Sequence, residues 1–71
     1  MKQHIGVFVK EYRQSHALSQ TEFAKSAGTT QSLISAIEQN NYGRHLNMRN
    51  AEKLAKAMNM TLSKLLEKVD F

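Results

Sequence analysis

The sequence predicts an all-α fold, a compact bundle of five short helices. Three observations carry this: apolar residues recur at three- and four-residue spacing along the chain, capping side chains stand at the breaks in that pattern, and the 71 residues include no Pro and only three Gly. A multi-turn β fold would need more turn residues than that. A chain of this length is expected to make one domain, 1–71. Such a domain buries only about 60% of its unfolded surface, so its stability is a few kcal/mol. With no Cys, neither a disulfide nor a thiolate metal site can staple it.

The first helix is expected over about residues 3–15, where Ile5, Val9 and Tyr12, with Phe8 beside them, form an apolar stripe. Lys10 and Arg13 lie off its centre. Leu18 then leads into Ser19, with Glu22 three residues on, and Ser-x-x-Glu is a capping box. The second helix turns Phe23, Ala24 and Ala27 inward, and Gly28 ends it as a left-handed residue would. Thr30 caps a third helix that runs to about Gln39, with Ile34 and Ile37 inward. Asn40-Asn41-Tyr42-Gly43-Arg44-His45 is a long loop in which Asn and Gly tolerate positive φ. Tyr42 is expected at the surface. Asn47 caps a fourth helix carrying Met48, Ala51, Leu54, Ala55 and Met58. Thr61 caps a fifth, with Leu62, Leu65, Leu66 and Val69. Met48, Met58 and Met60 read as core fillers.

Ten Lys and Arg against six Asp and Glu give a net charge of +4, and the pI is near 9.7. That balance suits nucleic acid, an anionic membrane surface or an acidic protein. The apolar run Val7-Phe8-Val9 is cut off by Lys10 and Glu11, too short for a membrane span or a signal-peptide core. A cytoplasmic location without membrane contact is the expectation. His4, His16 and His45 lack metal-ligand spacing, so no metal or other cofactor is expected. Asp70 lies at the chain end and no nucleophile turn is visible, so no enzyme activity is expected.

The informative pair is helices two and three. Only Thr29 separates Gly28, which closes one helix, from Thr30, which caps the next. Ala24, four residues before the glycine, allows the two helices to approach. Ile34 and Ile37 anchor the later helix. A small residue, a Gly and two branched apolar residues in that order make a helix-turn-helix over Gln20 to Gln39.

With these residues the chain resembles the Cro and phage-repressor (XRE) family of helix-turn-helix proteins. The resemblance is carried by Ile5-Gly6, Arg13, Leu18-Ser19-Gln20, Phe23-Ala24, Gly28-Thr29-Thr30-Gln31, Ile34, Ile37-Glu38 and the run from Leu54 to Met58, and it extends from Ile5 to Glu67. It implies a lambda-repressor-like domain of five helices that binds double-stranded DNA, usually as a twofold dimer. It further implies that Gln31, Ser32, Ser35 and Ala36 read base edges with Leu33 at the margin, and that Gln20 binds a phosphate and braces Gln31. Arg13 and Glu38 would form a partly buried ion pair tying helix one to the end of helix three. The loop before helix four is longer than in a typical member and lacks the Asn-Pro common there.

The stretch GTTQSLISAIEQ holds no Lys or Arg, which fits base reading by neutral groups. Gln pairs bidentately with adenine, Ser takes donors or acceptors, and apolar groups touch the thymine methyl. Positive charge is needed at phosphates instead. Lys25, Arg44 and Arg49, then Lys10, are the candidates, with the exposed N–H groups at helix starts such as Thr30 adding positive potential. Leu62, Leu65, Leu66, Val69 and Phe71 exceed what one face of a small bundle needs, and are expected at a dimer interface. The expected function is a transcription regulator, a repressor on a palindromic operator. The alternatives are an antitoxin whose main partner is a toxin, and a protein-interaction module of the same fold.

Overall fold

The computed structural model describes residues 2–43 and 46–70. Among them the chain forms β1 (Gln3–His4), α1 (Ile5–Ser15), α2 (Gln20–Ala27), α3 (Gln31–Glu38), α4 (Met48–Ala57), α5 (Leu62–Lys68) and β2 (Val69–Asp70). α3 packs against α1 and α2, and α4 bridges α2 to α5. The centre is apolar: Ile5, Val9, Phe23, Ile34, Ile37, Leu54 and Leu65 are all 0% exposed. No helix among the described residues is long and apolar enough to cross a membrane.

Each helix starts where a side chain can accept a hydrogen bond from a backbone N–H that the helix itself leaves unpaired. Ser19 accepts from the Glu22 N–H at 3.0 Å, and the Glu22 carboxylate accepts from the Ser19 N–H at 2.9 Å, completing the capping box. Thr30 accepts from Leu33, Asn47 from Asn50 and Thr61 from Lys64. α1 has a cap the sequence did not announce: His4 Nδ1 accepts from the Gly6 N–H at 3.1 Å.

The ends of the chain differ from expectation. Gln3 and His4 are not the first turn of α1, and Val69 is not the last residue of α5. Instead β1 and β2 pair in parallel, Gln3 opposite Val69 and His4 opposite Asp70. Two-residue strands carry no periodic signal, and the partner of each lies at the other end of the sequence. Tyr42 also departs from expectation. It is half-buried against the core, with its ring centroid 5.9 Å from that of His4 and its hydroxyl 3.2 Å from His4 Nε2. Because Nδ1 serves as the helix cap, Nε2 carries the proton of the neutral ring and donates to Tyr42. Met48 is not a core residue: it is 58% exposed at the start of α4.

The expected dimer surface changes accordingly. Leu65 and Val69 are 0% and 3% exposed inside the chain's own core, so neither offers surface to a second copy. Leu65 faces inward on α5, and Val69 is drawn in by the strand pairing. Leu62 and Leu66 are half-buried. Phe71 lies outside the described residues.

Candidate nucleic-acid interface

The geometry of the α2–α3 corner follows from Gly28. Its φ of 69° is left-handed, a conformation only glycine adopts at little cost. There the chain reverses, with the Thr29 N–H donating back to the Ala24 carbonyl at 2.9 Å. Thr30 then caps α3 at once. The packing behind α3 is equally constrained. A Cβ on Gly6 of α1 would collide with the Ile37 carbonyl oxygen and come within 3.2 Å of the Ile37 carbonyl carbon. Only glycine lets α1 lie this close to the C-terminal half of α3.

With its inner face held by Ile34 and Ile37, α3 leaves Gln31 and Ser32 exposed and Leu33, Ser35 and Ala36 half-exposed. Ser32, Leu33 and Ala36, with Thr30 and Asn41, border a shallow depression along one flank of the helix. The Ser35 hydroxyl accepts from Gln39 Nε2 at 3.3 Å, and the Thr30 hydroxyl is engaged as the α3 cap.

A hydrogen-bonded series runs from α1 to the first residue of α3. Arg13 grips Glu38 with two parallel bonds, Nε to Oε2 at 2.8 Å and a terminal nitrogen to Oε1 at 2.9 Å. It also donates to the Leu18 carbonyl at 3.0 Å. Glu38 Oε1 accepts a further bond from Gln20 Nε2 at 3.2 Å. Gln20 Oε1 in turn accepts from Gln31 Nε2 at 2.6 Å. The Arg13 and Glu38 side chains are 14% and 5% exposed. Burial pushes the Glu38 carboxyl up, but the hydrogen bonds from Arg13 and Gln20 and the charges of Arg13 and Lys10 outweigh it, leaving Glu38 below the ordinary carboxylate value. The same pairing raises Arg13. On α2, the Ser19 backbone and hydroxyl bonds hold Glu22 low.

Among the basic candidates, Lys25, Arg49 and Lys10 are exposed, while Arg44 lies outside the described residues. Arg49 borders a shallow groove with Glu52, Lys53 and Lys56. Lys53 Nζ donates to the Gly28 carbonyl at 3.4 Å, so this groove adjoins the helix-turn-helix corner. Lys53 and Lys56 escaped the sequence reading, although Arg49, Lys53 and Lys56 stand four and three residues apart and thus share one face of α4. No cluster of His, Asp or Glu among the described residues could hold a metal ion.

A helix-turn-helix family model matches residues 9–65 of the chain. No curated protein matches it by sequence. Among solved structures, a chain of the SinR protein/SinI protein complex shares the fold with a TM-score of 0.73 and 30% identity, over 90% of this chain and 61% of that one. The present chain therefore spans under two thirds of that neighbour's length.

Proposed function

The chain belongs to the XRE type of helix-turn-helix proteins, a family that binds DNA, and from that premise we propose that it is a sequence-specific transcription regulator acting on double-stranded DNA in the cytoplasm. The observation that carries this reading is the first turn of α3. Gln31 and Ser32 stand exposed on it, while Gln20 holds the Gln31 amide from the start of α2. A helix so presented, with neutral hydrogen-bonding groups and no charge, suits the edges of base pairs in a major groove. Gln31, Ser32, Ser35 and Ala36 read bases in this proposal. Gln20, Thr30, Lys25, Arg44 and Arg49 meet the phosphates.

The proposal includes repression from a palindromic operator bound by a dimer, with half-sites about 34 Å apart. Of the residues expected at a dimer interface, Leu62 and Leu66, half-buried on α5, support the twofold contact in this proposal, together with Phe71. Selection from random duplex DNA tests the whole reading. A single enriched motif with twofold symmetry is the expected result. Failure to enrich any sequence, or retention of DNA that is indifferent to salt, would exclude it. A second reading, regulation through a protein partner, is favoured by one comparison: the structural neighbour is a complex of the SinR protein with the SinI protein.

A further inference from the structure

We infer that Glu38 is a positioning residue for base specificity: its carboxylate fixes which end of the Gln31 amide is free to face DNA, acting through Gln20. The inference rests on the reading that Gln31 contacts bases. It goes beyond the ion pair with Arg13, which by itself only fastens α1 to α3.

The direction follows from donor and acceptor chemistry. An ionised carboxylate accepts hydrogen bonds and cannot donate them. The Gln20 atom beside Glu38 Oε1, 3.2 Å away, must therefore be the amide nitrogen. Once that end of Gln20 is committed, its oxygen is the end left for Gln31, 2.6 Å away, and an oxygen can take only the Gln31 nitrogen. Gln31 is thereby left with its own oxygen and its second N–H. One acceptor and one donor match N6 and N7 of adenine. With both amides turned round, Gln31 would offer two N–H donors, which match O6 and N7 of guanine. The charge on Glu38, two side chains removed from the groove, thus separates one purine from the other. Among the described residues no other hydrogen bond to Gln20 or Gln31 fixes the orientation of the two amides, since a glutamine can present either end to a glutamine.

Three variants test the inference, on the sequence that the wild-type protein selects from a random duplex pool. Gln31→Ala identifies the base position that Gln31 reads. Purine preference is then measured there by competition at pH 8, with each protein verified as folded by circular dichroism. In Glu38→Gln the neighbour of Gln20 can accept or donate, so both orientations become available. The adenine-over-guanine preference should fall by about tenfold while overall DNA affinity changes less. Arg13→Met removes the same ion pair from the other side and lowers stability, but leaves the Glu38 charge to orient Gln20, so the preference should survive. Loss in Glu38→Gln with retention in Arg13→Met supports the inference. Retention in both, or equal loss in both, overturns it and leaves the DNA reading intact. If Gln31→Ala alters no base position, the base-reading role and the inference fall together.

Discussion

Gly6 and Glu38 show how a single residue decides the placement of α3. Gly6 is needed because its neighbour is backbone, the Ile37 carbonyl, which cannot swing aside as a side chain can. Gly6→Ala should therefore act as overpacking and cost about 1–3 kcal/mol, read as a lowered midpoint in urea. Glu38 contributes through its charge. Its carboxyl lies below the ordinary value of 4.5 in the folded protein, so the unfolded chain binds more protons in acid. The stability it supplies is present above the unfolded value and is lost as pH falls through the lower folded value. Urea midpoints of wild type and Glu38→Gln should be furthest apart near neutrality and should converge in acid. A gap that widens below pH 4.5 would contradict the assignment.

At the scale of the element, the helix starts were legible in the sequence and the helix ends only in part. Ser19, Thr30, Asn47 and Thr61 were readable as caps because a cap acts on its own next turn. His4 was not, because its ring is held by Tyr42 and its backbone by β2 as much as by α1. The C-termini share one device. Ala17, Gly28, Asn40 and Asn59 are all left-handed. In each case the following N–H, on Leu18, Thr29, Asn41 or Met60, donates to the carbonyl five residues back. This is the Schellman closure. Gly28 was legible as a closing residue and Asn40 as a tolerant loop position, because glycine and asparagine advertise positive φ; Asn59 carried the same signal and was passed over, and Ala17 carries none. Ala17, at φ 54°, bears the left-handed cost of about 1–2 kcal/mol. Ala17→Gly should recover part of it, less about 0.4–1 kcal/mol for the freer unfolded chain. The expected outcome is a melting temperature a few degrees higher; an unchanged or lower value would show that Ala17 is not strained.

At the scale of the whole molecule, the sequence conveyed the layout but not its closure. The order of helices and the inner positions of Phe23, Ile34, Ile37 and Leu54 followed from spacing. The burial of Leu65 and Val69 did not, since a leucine-rich helix at a chain end looks alike whether it covers its own core or a partner. The bracing of Gln31 by Gln20 was legible because the resemblance supplied it. The bond from Gln20 to Glu38 was not, because it joins the first residue of α2 to the last of α3 and exists only once both are packed. Charge is also a property of the whole. On the selected operator, log affinity should fall linearly with log salt, and Arg49→Ala should lower the slope by about one while weakening all sequences alike. A base-dependent effect would place Arg49 in the groove instead.

The parallel pairing of Gln3–His4 with Val69–Asp70 has a consequence for how the molecule opens. The contact joins segments that flank all five helices in sequence, so it can form only after the helices between them have found their places. It belongs to the late side of the folding barrier. Val69→Ala should leave the refolding rate nearly unchanged and accelerate unfolding in stopped-flow measurements. The two short strands then act as a clasp that governs how long the domain stays shut, while the speed of its assembly is set by the helices in between.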